Sequence, residues 1–116
     1  MFTAAISKIY LASTYVDLRK SYQTLGMHVQ HMLGGDPLSG NLFVFYNRRR
    51  DLIKILYWQT NGFCLWQKRI ETGTFHIPKD LSSLQSEITA YQLHGLIQGL
   101  EWQSRVEKKR QYRLCS

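Results

Sequence analysis

The chain has 116 residues, of which 44% are apolar and 13% aromatic, and its 15 Lys and Arg outweigh 8 Asp and Glu to give a formal charge of +7. That apolar content excludes a disordered chain. No apolar run comes near the roughly 18 residues of a membrane-spanning helix, and two cysteines, Cys64 and Cys115, make no disulfide framework. The positive excess favours contact with polyanions, nucleic acid first.

One α+β domain is expected over 1–104, followed by a basic tail over 105–116, with no internal repeat or low-complexity linker. The start, MFTAAISKIYLAST, has no basic opening and only a broken apolar stretch, so a cytoplasmic protein is expected. Ser7–Thr14 reads as a short strand with Ile9 and Leu11 on one side and Tyr10 on the other. Tyr15–Leu33 reads as a long helix with Asp17 as N-cap. Its apolar face runs through Leu18, Tyr22, Leu25, Val29, Met32 and Leu33, and Gly34-Gly35 ends it. Arg19 and Lys20 then fall in the first turn, where cations oppose the helix dipole unless an anion sits there. They are therefore either an exposed pair or an anion site.

From Gly40 to Phe75 three apolar and aromatic runs stand between turn residues: Leu42–Tyr46, Leu52–Trp58 and Phe63–Ile70. β-Branched and aromatic side chains bounded by turns predict strands, here a three-stranded antiparallel meander. Asn61-Gly62 is the expected two-residue turn, which sets Trp58 opposite Leu65 and Lys54 opposite Arg69. Asn47–Asp51 is the expected five-residue loop, which sets Tyr46 opposite Leu52 and carries Arg48, Arg49 and Arg50 at its tip. With those lengths Phe43, Phe45, Ile53, Ile55, Tyr57, Cys64, Trp66 and Ile70 share a core face. Tyr46, Lys54, Trp58 and Arg69 share a mixed face, and a one-residue slip would exchange the sets on a strand. Lys79–Glu87 is a polar stretch. Thr89 caps a short helix over Ala90–Gln98 that turns Leu93, Leu96 and Ile97 inward and stops at Gly99.

No catalytic constellation is legible. His28 and His31 lie three apart on one helix, a spacing that can share a metal. No Cys, Asp or Glu obviously completes a site with them, and surface histidines are the simpler reading. Asp17, Asp36, Asp51 and Glu71 stand at caps and turns, the ordinary place for acids. No phosphate-binding glycine loop or nucleophile elbow is present. No metal, cofactor or enzymatic activity is expected. What remains is a binding surface. Arg48, Arg49 and Arg50 are positioned for phosphate or groove contacts, with Arg19 and Lys20 as an anion site. Lys54 and Arg69 with Tyr46 and Trp58 make an aromatic and basic sheet face for stacking or for a partner. The plain alternative is that the aromatics are covered and the cations only solubilise.

Several segments resemble one family. Asp17-Leu18-Arg19-Lys20 is similar to its D-(M/L)-R-K signature, and Asp36-Pro37-Leu38-Ser39-Gly40-Asn41-Leu42-Phe43-Val44-Phe45 to its D-P-(F/L)-S-G-x-L-F-V-F segment. Asn47-Arg48-Arg49-Arg50-Asp51 with Ile53-Lys54-Ile55-Leu56-Tyr57-Trp58 resembles its arginine loop and following strand. The runs Gly62–Trp66 and Lys68–Phe75, and the closing Gln92-Leu93 and Leu96–Leu100, continue the resemblance in the same order. The chain is thereby identified as resembling the small accessory protein, called TnpB or Orf2, of the insertion-sequence sixty-six family of bacterial mobile elements. The resemblance implies a role in transposition beside a larger DDE transposase. It supplies no catalytic residues, and it does not extend to the basic tail.

The expectation is thus an α+β fold, a small antiparallel meander of three to five strands on one long helix with a short C-terminal helix. Its function is that of a non-catalytic accessory factor. DNA, specifically the element's ends, and the transposase are its expected partners, in a bacterial cytoplasm and at the nucleoid when on DNA. A protein–protein adaptor without specific DNA binding is the alternative, and a nuclease subunit a more distant one.

Overall fold

A computed structural model describes residues 8–19, 22–32, 36–78 and 85–101. Lys20, the Gly34-Gly35 helix stop, most of the 79–87 stretch and the basic tail lie outside the described residues. The elements in order are β1 (Ile9–Ala12), α1 (Tyr22–Met32), β2 (Leu42–Tyr46), β3 (Leu52–Gln59), β4 (Gly62–Arg69), β5 (Gln85–Ile88) and α2 (Ala90–Ile97). The strands form one sheet in the order β4-β3-β2-β1-β5.

The α+β class and the meander hold: β2, β3 and β4 pair antiparallel in succession. The sheet as a whole is mixed rather than antiparallel, because β1 pairs parallel with β2, Ile9 beside Leu42 and Leu11 beside Val44. A parallel neighbour needs a crossover, and α1 lies in that crossover. β5, which begins inside the stretch read as polar and runs one residue past it, closes the other side of β1 antiparallel.

Two registers differ from expectation. In the β3–β4 hairpin the turn is Thr60-Asn61, with Gln59 opposite Gly62 and Trp58 opposite Phe63. Thr60 takes the positive φ, 57°, and Asn61 N–H donates to Gln59 C=O at 2.6 Å across it, a γ-turn. That is a shift of two residues and leaves the faces unchanged. The β2–β3 register slips by one: Tyr46 pairs with Ile53 and Phe43 with Leu56. Side chains alternate along a strand, so β2 turns over relative to the expectation. Leu42, Val44 and Tyr46 join Ile53 and Ile55, whereas Phe43 and Phe45 join Lys54, Leu56 and Trp58.

Both faces are therefore covered. α1 lies against β3 on the Phe43 face, with Gly26 beside the Phe63 ring. α2 lies on the opposite face. Its Gly99 sits beside Ile70, and Lys68 Nζ donates to Ile97 C=O at 2.9 Å, placing a cation at the negative end of the helix dipole. Leu11, Leu25, Val29, Val44, Ile53, Ile55 and Leu56 are fully buried between these layers.

The long helix is shorter than expected. The described helix α1 is Tyr22–Met32, and Tyr15–Asp17, expected to open it, are not helical; Asp17 Oδ1 accepts Arg19 N–H at 3.0 Å in a local turn of the kind Asp favours. α2 matches its expectation at both ends. Thr89 Oγ1 accepts Gln92 N–H at 3.0 Å while Thr89 N–H donates to Gln92 Oε1 at 2.9 Å, a reciprocal capping box. At the other end Gly99, at φ 78°, donates to Leu96 C=O and Leu100 N–H donates to Gly95 C=O, a Schellman ending that glycine permits. Thr89→Ala should cost about 1 kcal/mol in urea unfolding with an unchanged slope; a loss below a few tenths would mean that the cap is redundant.

Candidate nucleic-acid interface

The arginine loop is built by one side chain. Asn47 N–H donates to Leu52 C=O, so the free loop is Arg48–Asp51, and Arg50 N–H closes a turn onto Asn47 C=O at 3.1 Å. Asn47 Oδ1 accepts the N–H groups of Asp51 and Leu52, each at 3.1 Å, and its amide donates to Asp51 Oδ1 at 2.7 Å. Arg50 sits at φ 60°, and its C=O accepts Phe75 N–H at 2.7 Å. Asp51 also meets Arg69 Nη1 at 3.3 Å, and its C=O accepts Ile70 N–H. The hydrogen bond from Asn47 holds the Asp51 carboxyl below the usual carboxylate range, and the Arg69 and Arg49 cations act in the same direction against a cost of burial. The stability this lends the loop is present above the unfolded carboxylate value and is lost as pH falls through the lowered one. Asn47→Ala removes three hydrogen bonds from the loop and should cost about 1–3 kcal/mol in thermal or urea unfolding. A variant as stable as the parent would show that the loop is held by other interactions.

Opposite this loop runs Tyr15–Arg19, fastened at two points. Val16 N–H donates to Tyr46 C=O at 3.0 Å, and Lys54 Nζ donates to Leu18 C=O at 2.6 Å. Val16 and Leu18 turn into the core, so the alternate residues Tyr15, Asp17 and Arg19 face outward. Between the two segments lies an open cleft of about 600 Å³, lined by Tyr15, Asp17 and Arg19 from one wall, Asn47, Arg48 and Arg49 from the other, and Arg69 and Leu52 from the sheet. Residues far apart in the chain thus bring four guanidinium groups to one concavity.

The cations differ in how they are held. Arg48 and Arg49 are exposed at the loop tip, and the Arg48 guanidinium lies 5.8 Å from the centre of the Tyr15 ring. Arg19 makes two bonds to Asp17, Nε to Oδ1 at 3.0 Å and Nη2 to Oδ2 at 2.9 Å, and the partnership raises its pKa further. The Arg19 side chain is 91% exposed, and an ion pair in that much water contributes little, so an incoming phosphate can replace the carboxylate. Arg69 is engaged with Asp51. Arg50 borders a second, smaller hollow with Arg48 and Tyr15.

The other sequence-assigned residues fall elsewhere. Lys54 is part-buried and is tied to Leu18, so it positions the cleft wall instead of facing a ligand. Tyr46, expected on an exposed sheet face, is 5% exposed and belongs to the core; burial raises its hydroxyl pKa against the nearby charge of Arg50. Trp58 is half-buried, edge-on to Phe63 at 5.1 Å. The one-residue slip explains the separation, since it puts Tyr46 and Lys54 on opposite faces. Arg19 stands in a turn with Leu18, ahead of the described helix Tyr22–Met32, and lines the cleft. The aromatic that does stand among the arginines, Tyr15, carries no mark of that place in the sequence, because Tyr15–Leu33 reads as helix. Among the described residues no group of three His, Cys, Asp or Glu side chains is placed to hold a metal.

The molecule is, in class, a small mixed-sheet α+β domain carrying a preorganised arginine-lined cleft. The family described as IS66 Orf2 like protein matches residues 7–107, and the chain belongs to that family. Its relatives include two uncharacterized proteins of Sinorhizobium fredii (strain NBRC 101917 / NGR234). One, y4hO, is 34% identical over 82% of this chain and 82% of its own length; the other, y4jC, is 35% identical over 88% and 86%. No solved structure matches. Membership carries a transposition-associated accessory role.

Proposed function

We propose that this chain is a non-catalytic accessory factor of transposition that holds DNA in the arginine cleft and assists a separate DDE transposase at the element's ends, in the bacterial cytoplasm. The observation that carries this reading is the convergence of Arg19, Arg48, Arg49 and Arg69 on one concavity. Arginine offers a planar fork of donors matched to phosphate, and a loop already fixed by hydrogen bonds loses little freedom on binding. Fluorescence anisotropy with terminal-repeat DNA and unrelated DNA across a salt series tests it. Salt-sensitive binding that favours the terminal repeat supports the reading; no binding at moderate salt sinks it.

A second reading is favoured by β4. This eight-residue strand is an edge of the sheet, and its Leu65 is 40% exposed. An edge strand offers an unpaired backbone ladder to a partner strand, which suits an adaptor docking on the transposase. Equal, weak binding to every DNA would favour it.

A further inference from the structure

We infer that Tyr15 is a nucleobase-stacking position and that the cleft takes a single strand of nucleic acid, an inference that rests on the DNA-binding reading above. Tyr15 and Arg48 border two hollows at once. One is the 600 Å³ cleft with Arg19, Arg49 and Arg69; the other, of about 360 Å³, holds Arg50. The two hollows therefore adjoin along a ridge made by the Tyr15 ring and the Arg48 guanidinium, 5.8 Å from its centre. A single small anion needs one such hollow. Two arginine-bearing hollows on either side of an aromatic ridge suit a chain of anions whose successive phosphates lie on both sides of a planar group.

A half-exposed aromatic is unremarkable alone. Tyr15 is 50% exposed while its neighbour Val16 is 8% exposed and hydrogen-bonded to Tyr46 C=O, so the ring is fixed from its backbone and is presented to water among five arginines. Arg48 places positive charge beside the ring, and a planar guanidinium is itself a surface on which a base can lie. In a duplex, base faces are already occupied by neighbouring bases. In a single strand they are open, and stacking on an aromatic side chain is largely indifferent to base identity. The ligand defined by this chemistry is a flexible single strand with alternating phosphates and unpaired bases.

The test measures anisotropy of labelled oligo-dT, a duplex of equal length, and an abasic oligonucleotide of the same phosphate count, against the full chain. The unmodified protein should prefer oligo-dT. Tyr15→Ala and Tyr15→Leu should each weaken oligo-dT binding at least about fivefold, with duplex and abasic binding changed less than about twofold, and Tyr15→Phe should retain the parent affinity. Tyr15→Leu keeps apolar bulk, so a packing role would spare it. Stronger binding to duplex, or Tyr15 variants that weaken every ligand alike or none, overturns the stacking assignment and leaves the arginine cleft as a DNA site. No binding to any of the three overturns both.

Discussion

Replacing Arg19, Arg48 and Arg49 together by alanine should weaken DNA binding about 100-fold or more at moderate salt, taking about 1 kcal/mol for each charge-assisted hydrogen bond to phosphate that an exposed arginine supplies. The same variant should flatten the salt dependence. Each phosphate left without its cation lowers the log–log slope by roughly 0.7 to 0.9, so three should lower it by about 2 to 3. These arginines are the right set because none shapes the fold. Arg48 and Arg49 are exposed at the loop tip, and among the described residues Arg19 pairs with Asp17 in solvent. Surface changes of this kind cost about 0.5 kcal/mol or less each, so the thermal midpoint should barely move. Arg50 and Arg69 are left out, since Arg50 C=O anchors Phe75 and Arg69 pairs with Asp51. An unchanged slope in a folded triple variant would remove the cleft from the binding account.

Phe43→Ala should destabilise the domain by about 3–5 kcal/mol, the range for emptying a buried aromatic site. Phe43 is 1% exposed on the middle strand of the sheet, stacks on Tyr10 at 5.7 Å and pairs with Leu56 under α1. A domain of this size is stable by about 5–15 kcal/mol in all, so the variant should unfold at far lower urea while the slope stays the same. Leu65→Ala on the exposed edge should cost about 0.5 kcal/mol. Similar losses at the two positions would contradict the layer order.

The meander, the capping of α2 and the core membership of Ile53 and Ile55 were legible because their signals are local: alternation, turn residues, and Thr89 with Gln92 three positions on. The β2–β3 register was not, because five polar residues between two apolar runs leave the loop length open by one, and Asn47 joins the ladder opposite Leu52. Tyr15–Asp17 read as helix because Leu18 continues the helical spacing of Leu25 and Val29, although it is buried from a turn ahead of the described helix. A parallel partner for β1 leaves no mark near β1 itself. The arginines of the cleft were each legible as candidate binding cations, but in separate places: Arg48 and Arg49 in the loop, Arg19 beside Lys20, and Arg69 on the sheet face. Their convergence on one cleft, and the place of Tyr15 among them, depend on interactions between segments some thirty residues apart.

Those distant interactions give the two walls of the cleft different histories. The Arg48–Asp51 wall belongs to a hairpin of near neighbours, which closes early and at small entropic cost. The Tyr15–Arg19 wall waits on β1, which cannot dock until β2 exists and is completed by β5, the last strand of the sheet. Loop closure over such separations is slow. The cationic tip should therefore form during folding well before there is a cleft for it to line. An anion spanning both walls would meet only the finished protein, so it should slow unfolding while leaving the folding rate untouched.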